Sequence, residues 1–328
     1  MKAKIVIAII ITYNRLSMLK RCIASIKRQS YKVSKIVVID NNSTDGTKNY
    51  LMRISRDSKN KIKTIFNNKN AGVAIAINLA LNSVKNERWD LAWITDDDNI
   101  AKKNALTELI KKYKRNTILG SILVDYKNKK KLSIPVYDIR NPKKIYTRTK
   151  EIKKRQFIEY LTPFNFTLVP REIIYRNLLN EKYFIYGEEY DLTTRLLLQG
   201  CKLLTIPKSE TYCLNQKKLY KLRIFKKHFF FPDVKPGRLY YFLRNQLILN
   251  IKFKAAIERS KNKDLIKNYY YIYKYNYIFF LIASSVFFTL AIIKIHRKRS
   301  LIYFPDIFRA IIDANIFYIK SKILKIHI

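Results

Sequence analysis

Four short apolar runs, separated by stretches of helical periodicity, fill the first hundred residues, and that alternation restricts the chain to few architectures. Residues 5–11 read Ile-Val-Ile-Ala-Ile-Ile-Ile, the unbroken β-branched run expected of a strand buried on both faces. Leu16, Leu19, Ile23 and Ile26 then recur at helical spacing. Lys35-Ile36-Val37-Val38-Ile39 reads as a second buried strand ending in Asp40, and residues 62–66 as a weaker third. An Ala- and Leu-rich helix follows the Asn70-Ala71-Gly72 turn to about Val84, and Leu91-Ala92-Trp93-Ile94 forms a fourth strand. The order β-α-β-α-β-α-β predicts an α/β fold with a doubly wound, mainly parallel sheet and helices on both faces. Ligands of such sheets bind beyond the carboxyl ends of the strands. Thr12, Asp40, Asn70 and Asp96-Asp97-Asp98 all fall at those ends.

The aspartate triplet is the sharpest of these signals. The chain carries 66 Lys and Arg against 24 Asp and Glu, so three adjacent acids at a strand end need a reason. Adjacent carboxylates stay ionised cheaply only beside a cation or in open water. In extended backbone, residues two apart point the same way. Asp96 and Asp98 are therefore expected to grip one hard divalent ion, magnesium or manganese, with Asp97 facing elsewhere. A solvated acidic turn is the plain alternative.

Further along, residues 101–115 read as a helix with Leu106, Leu109, Ile110 and Tyr113 inward, and residues 121–165 as loops and short strands. Asn165–Val169 reads as a strand before a helix from Arg171. Glu188-Glu189-Tyr190-Asp191 opens a helix running to Gly200, where three acids also suit the helix dipole. The character changes after about residue 216. Residues 217–227 interleave six Lys or Arg with Leu, Tyr, Ile and Phe. Residues 277–293 are uncharged and precede a basic cluster of Lys294, His296, Arg297, Lys298 and Arg299. Seventeen residues sit at the short limit for a spanning helix, so an interfacial segment, a span and a buried helix all stay open. Residues 301–319 are broken by Pro305, Asp306, Arg309 and Asp313 and fit an interfacial helix. The expected organisation is two halves of one α/β domain, residues 1–100 and 101–215, then a basic, apolar, helical membrane-associating region, 216–328.

The net charge of +42 has three functional explanations: nucleic acid, an anionic membrane surface, or phosphorylated substrates. A compositional drift toward Lys is the fourth. Cys22, Cys201 and Cys213 form no close pair, which argues against a disulfide framework or zinc ribbon and fits a reducing compartment. The seven-residue apolar run at the N-terminus is short for a signal peptide and reads as a strand.

The motifs together resemble family 2 glycosyltransferases of the GT-A fold. The matching residues are Thr12-Tyr13-Asn14-Arg15, Val38-Ile39-Asp40-Asn41-Asn42-Ser43-Thr44-Asp45-Gly46-Thr47, Asn70-Ala71-Gly72 with Asn78, Trp93-Ile94-Thr95-Asp96-Asp97-Asp98, and Gly187-Glu188-Glu189-Tyr190-Asp191-Leu192 with Arg195. The triplet, with Tyr240-Tyr241 and Arg244-Asn245, further resembles bacterial galactofuranosyl- and rhamnosyltransferase-like members. The resemblance implies a nucleotide-sugar site formed by Thr12, Asn14, Arg15, Asp40, Asn70, Gly72 and Asp97, with the Asp40 carboxylate accepting from a uracil N–H. It implies a divalent metal at Asp96 and Asp98, bridging the donor's diphosphate. Glu189 matches the general base that deprotonates the acceptor hydroxyl, Glu188 competes for that role, and Asp191 is structural or acceptor-orienting. The family inverts anomeric configuration, so one base and no covalent intermediate are expected.

The expected donor is a uridine diphosphate sugar, with deoxythymidine diphosphate rhamnose second. The expected acceptor is a lipid-linked oligosaccharide at the cytoplasmic face of a bacterial inner membrane, where the basic tail meets anionic lipid. Two residues depart from the family pattern. The acidic pair is Glu-Glu where many relatives have Glu-Asp or Asp-Asp, and Cys213 stands where a metal-binding His is often found. A thiol is a poor ligand for magnesium, so the metal relies on Asp96, Asp98 and phosphates, or on His228, or is weakly needed. A degenerate transferase fold serving as a membrane assembly partner is the second reading. A nucleic-acid binder is disfavoured because no recognised binding motif is present, and a sugar nucleotidyltransferase because no Gly-rich phosphate loop follows the first strand.

Overall fold

A computed structural model describes residues 3–57, 61–141, 144–159, 164–215, 219–224, 227–232, 238–259 and 305–313. The chain divides into two compact units, Met1–Phe184 with Asp191–Gln216, and Ile185–Tyr190 with Lys217–Ile328.

The first unit opens with the expected alternation: β1 (Val6–Thr12), α1 (Leu16–Lys27), β2 (Lys35–Asp40), α2 (Thr47–Asp57), β3 (Ile62–Phe66), α3 (Val73–Ser83) and β4 (Leu91–Asp96). Every residue of β1 is buried, because β2 flanks it on one edge and β4 on the other, all three parallel, with α1 and α3 contributing to its cover. β3 extends the parallel array beyond β2. This is why the β-branched run at residues 5–11 carries no polar alternation.

The chain continues through β5 (Asn99–Ala101), α4 (Ala105–Lys112), β6 (Thr117–Asp125), β7 (Lys131–Tyr137), β8 (Ile145–Arg148), α5 (Thr149–Ile152), β9 (Asn165–Pro170), α6 (Arg171–Arg176), α7 (Glu188–Leu198) and β10 (Lys202–Cys213). The sheet order is β3-β2-β1-β4-β9-β6-β10-β5, with β7 and β8 branching from β6. β9 runs antiparallel between β4 and β6, and β6 and β10 are parallel. Trp93 and Phe166 lock the β4–β9 seam: their rings lie 4.5 Å apart, and the indole N–H donates to the Phe166 carbonyl at 3.2 Å.

Two local expectations need correction. Residues 121–165 do hold short strands, β7 and β8, but they open inside β6, a nine-residue strand that starts at Thr117 and is buried along its whole length. Gly120 and Ser121 interrupt its apolar run, but the Ser121 hydroxyl is satisfied inside the core by Ser209 Oγ at 2.7 Å and the Phe166 carbonyl at 3.3 Å. The helix expected from residue 101 begins at Ala105, since residues 99–101 instead pair antiparallel with the end of β10.

The second unit contains an antiparallel hairpin, β11 (Leu219–Ile224) and β12 (Lys227–Pro232), followed by α8 (Leu239–Arg259). The hairpin corrects the helical expectation for this region. Charged and apolar residues alternate through Leu-Tyr-Lys-Leu-Arg-Ile, and Phe229–Phe231 are aromatic, a composition that favours strand. Residues 305–313 are helical, and Ile307 and Ala310 pack with Leu239, Tyr240, Leu243 and Leu247 of α8. The uncharged segment 277–293 lies outside the described residues. Among those described, no helix is long and apolar enough to cross a membrane.

Candidate active site

The polar residues at the carboxyl ends of β1, β2 and β4 form one connected cluster. Parallel pairing sets Thr12 beside Asp40 and Ile11 beside Asp96. The loop after β1 is pinned at several points. Asn14 takes a left-handed φ of 52°, its N–H donates to Ser43 Oγ at 2.9 Å, and its Oδ1 accepts from the Thr44 N–H at 2.7 Å. Asp45 serves two helix starts at once. Oδ2 accepts from the Leu16 N–H at the head of α1, and Oδ1 accepts from the Thr47 N–H and hydroxyl at the head of α2. These bonds hold the Asp45 carboxyl below its ordinary pKa against a desolvation cost that works in the other direction.

Asp40 is buried, and its Oδ1 accepts from the Ser43 N–H at 3.0 Å. The described residues give its Oδ2 no donor. Asn70 turns inward on its own loop, accepting from the Gly72 N–H at 3.2 Å. Gly72 owes its identity to packing as well as to its φ of 86°: a Cβ there would lie 2.3 Å from the Phe184 carbonyl oxygen, which also accepts from the Val73 N–H. Asn41, a motif residue to which the family resemblance gives no role of its own, brackets this corner. Its Nδ2 donates to the Gly72 carbonyl, and its Oδ1 accepts from Asn67 at 2.7 Å. The only advance signal was a polar residue directly after a buried strand.

The triplet departs from the extended alternation that the sequence suggested. β4 stops at Asp96, and Asp97-Asp98 form a turn into β5. Asp97 therefore does not face away from its neighbour. Both acids converge on Arg15, whose Nη1 lies 2.8 Å from Asp97 Oδ1 and 3.0 Å from Asp98 Oδ2. Thr12 Oγ1 donates to the other oxygen of Asp97 at 2.7 Å. Asp97 is 1% exposed and Asp98 9%. Burial is the largest influence on Asp97 and raises its pKa to about 6, with Asp98 adding to the rise and Arg15 and Thr12 opposing it. Burial also works against the Arg15 charge, but Asp97, Asp98 and Asp96 outweigh it and hold the guanidinium protonated more firmly than usual.

The donor set fits a hard divalent cation. Asp96 is half-buried, Asp98 commits one oxygen to Arg15, and the described residues give Asp98 Oδ1 no donor. Among the described residues no group of three or more His, Cys, Asp or Glu side chains could hold a metal by itself. A site of one or two carboxylates completed by substrate phosphates and water is the usual arrangement for magnesium. Cys213 sits beside this corner. It pairs with Asn99 in the β5–β10 ladder, and the next N–H, that of Leu214, donates to the Asp98 carbonyl at 2.8 Å. The side chain of His228, in β12, lies outside those described.

The family model for glycosyl transferase family 2 matches residues 7–175, just over half of the 328-residue chain. The chain belongs to glycosyl transferase family 2. It is 26% identical over 211 residues to an uncharacterized glycosyltransferase of Haemophilus influenzae, a match covering 60% of this chain and 61% of the relative. It is 26% identical over 194 residues to the GalNAc(5)-diNAcBac-PP-undecaprenol beta-1,3-glucosyltransferase of Campylobacter jejuni, covering 57% and 58%. The matches thus span about three-fifths of these relatives' lengths. The mannosyltransferase PcManGT of Pyrobaculum calidifontis, solved with GDP-Man and Mn2+, superposes with a TM-score of 0.57 at 15% identity, over 95% of this chain and 86% of that one. That likeness establishes the GT-A fold.

The acidic motif of this family 2 member sits at the start of α7. Glu188 is buried, whereas Glu189 is only half-buried and its Oε2 accepts from the Gly187 N–H at 3.1 Å. Tyr186 and Gly187 both take positive φ, 62° and 131°. Asn245 of α8 is fully buried and donates to the carbonyls of Ile185 and Tyr186 at 2.9 and 2.6 Å, so it anchors the backbone that leads into the motif. Tyr241 and Tyr240 stack edge to face at 5.0 Å. Asp191 points to a different job: it is buried and pairs with Arg195 one turn on, at 3.0 Å. Asn78 likewise stitches α3 to the Leu179 backbone, donating to its carbonyl and accepting from its N–H.

Proposed function

We propose that this family 2 member is an inverting glycosyltransferase that moves a sugar from a nucleoside diphosphate donor to a hydroxyl of a lipid-linked glycan in bacterial surface polysaccharide synthesis. One observation carries the donor half of this reading. Thr12, Arg15, Asp40 and the aspartate triplet meet at adjoining parallel strand ends, with Asp40 Oδ2 and Asp98 Oδ1 still able to accept. Asp40 then receives the base N–H. Arg15, Asn14 and Thr12 shape the loop that carries the nucleotide, and Asn70, Gly72 and Asp97 shape its pocket from the neighbouring strand ends. Asp96 and Asp98 would hold a divalent cation, manganese or magnesium, which when bound would supply positive charge against the departing diphosphate.

Glu189 is the proposed base. Its carboxylate takes the acceptor's proton as the hydroxyl oxygen bonds to the anomeric carbon and the nucleoside diphosphate leaves. Its half-exposed carboxylate suits that task better than the buried Glu188. Asp191 supports the start of α7 through Arg195. A uridine diphosphate sugar is the first donor to test and deoxythymidine diphosphate rhamnose the second, galactofuranose or rhamnose being the sugars the motif resemblance suggests. The Campylobacter relative's name specifies a PP-undecaprenol-linked acceptor, which supports a lipid-linked acceptor here. The +42 charge, the uncharged run 277–293 and the basic cluster after it support a peripheral or monotopic place on the anionic cytoplasmic leaflet.

The experiment is turnover of a donor panel with a short lipid-linked acceptor, with the product's anomeric configuration read by NMR. Inversion, retained folding and lost turnover in Glu189→Gln and Asp98→Ala support the reading. Turnover that survives both substitutions contradicts it.

A further inference from the structure

Arg15 is the only basic side chain among the described residues that pairs with the aspartate triplet, and it does so in an unusual way. A guanidinium carries five N–H donors and typically meets carboxylates as a two-pronged fork. Here Nη1 alone serves both Asp97 and Asp98, while Nε and Nη2 donate to no acceptor among the described residues. The side chain is 29% exposed, so those unused donors belong to a cation that is not sealed into the core. Its two partners are held unequally. Asp97 is anchored a second time by Thr12, whereas Asp98 has Arg15 as its one side-chain partner among the described residues. The backbone on either side of Arg15 is fixed by Asn14 with Ser43 and by Leu16 with Asp45, which leaves side-chain rotation as the available movement.

We propose that Arg15 is a built-in counter-ion for Asp98 that a divalent cation displaces, so that metal binding and release of the guanidinium toward the donor's diphosphate are one coupled event. This rests on the donor-site reading above. Two adjacent, largely buried carboxylates require a positive charge at all times, and Arg15 supplies it while the metal is away. When a cation takes Asp98, Arg15 loses one acceptor and keeps the other. Its free N–H groups then suit the phosphate oxygens, whose geometry matches the fork. The exchange makes the metal and the nucleoside diphosphate bind each more tightly in the presence of the other, and it sets a cost against metal binding alone.

The test is a titration of Mn2+ into purified protein, with free Mn2+ followed by electron paramagnetic resonance, with and without UDP. Wild type, Arg15→Gln and Arg15→Lys are compared, each first shown to melt cooperatively. Wild type is expected to bind Mn2+ weakly alone and about ten-fold more tightly with UDP, of the order that allosteric couplings reach. Arg15→Gln is expected to bind Mn2+ alone several-fold more tightly than wild type and to show a smaller enhancement by UDP, the remainder coming from contact between the metal and the diphosphate itself. Arg15→Lys, which keeps the charge but not the fork, is expected to retain weak Mn2+ binding and to show a smaller enhancement than wild type. If Arg15→Gln does not fold, Arg15→Lys carries the test: an unchanged enhancement there overturns the proposal. An unchanged or weaker Mn2+ affinity in folded Arg15→Gln, alongside normal wild-type binding of Mn2+ and UDP, also overturns it while leaving the donor site intact. Absence of Mn2+ and UDP binding in both wild type and Arg15→Gln rejects the donor-site reading as well.

Discussion

Two arginine–aspartate pairs in the first unit look alike in sequence and differ in what they have left to give. Arg195 spends all three nitrogens: Nε on Asp191 at 3.0 Å, Nη1 on Asn177 Oδ1 at 3.4 Å and Nη2 on the Leu178 carbonyl at 3.0 Å. Asn177 is closed in turn by Gln199. That network is a finished strut tying α7 to the loop after α6. Arg15 spends one nitrogen on two acids. A polar cluster with every member engaged stabilises a fold, and one with donors and acceptors in reserve is equipped to meet a ligand. Both pairs come from motifs that resemble family elements, and the side-chain hydrogen bonds separate them.

The largest difference between the pairs should appear in activity. Asp98→Ala is expected to lower turnover by about 100-fold or more, the scale of removing one preorganised electrostatic contact to a developing charge. Its melting temperature should change little, because the substitution also relieves repulsion with Asp97. A matched loss of stability and activity would erase the distinction. Arg195→Ala should show the opposite profile. It removes the guanidinium paired with the buried Asp191 carboxylate at 3.0 Å and should cost about 3 kcal/mol of stability, read by denaturant unfolding, with donor affinity in the surviving folded fraction unchanged.

The pH dependence sharpens the comparison at the donor corner. Asp97 holds its proton up to about pH 6 in the folded protein, whereas an unfolded aspartate releases it near ~3.9. The folded state therefore binds more protons between those values. The contribution of Asp97 to stability is full below about pH 4 and is lost as pH rises toward 6. In chelator, Asp97→Asn should gain on wild type by about 2 kcal/mol between pH 4 and pH 7, measured as the change in their difference in unfolding free energy. A difference that is flat with pH would mean that Arg15 compensates the burial fully. The smallest effect belongs to Asp45→Ala, which removes one carboxylate that caps both α1 and α2 and should cost about 1 kcal/mol.

The contrast also explains what could be read from the chain alone. Strands β1, β2 and β4 and the helices between them were legible because strands buried on both faces leave an uninterrupted apolar signature and because turn residues punctuate them, whereas the edge strand β3, with only Ile62 buried, left a weaker trace. The four glycines with positive φ, at 46, 72, 187 and 200, fall at the motif turns from which the family resemblance was recognised. β6 was not legible, since Ser121 looks like a loop residue until Ser209, 88 positions away, supplies its partner. The triplet was found, but its geometry was not. Alternation holds only while the strand continues, and nothing local announces that β4 ends at Asp96 and turns Asp97 inward. Gly72 was assigned to the nucleotide pocket for its place in the motif. The close approach of Phe184, more than a hundred residues downstream, is a tertiary fact with no local trace.

The donor-site proposal stands or falls on thermal unfolding of the purified chain against a panel of nucleoside diphosphates, each with and without Mn2+, in wild type and Asp98→Ala. A ligand that binds only the folded state raises the melting temperature. The proposed donor site predicts stabilisation by one nucleoside diphosphate, uridine first, that grows with Mn2+ in wild type and loses that growth in Asp98→Ala. A folded wild-type protein that no nucleotide stabilises, with or without metal, would contradict it.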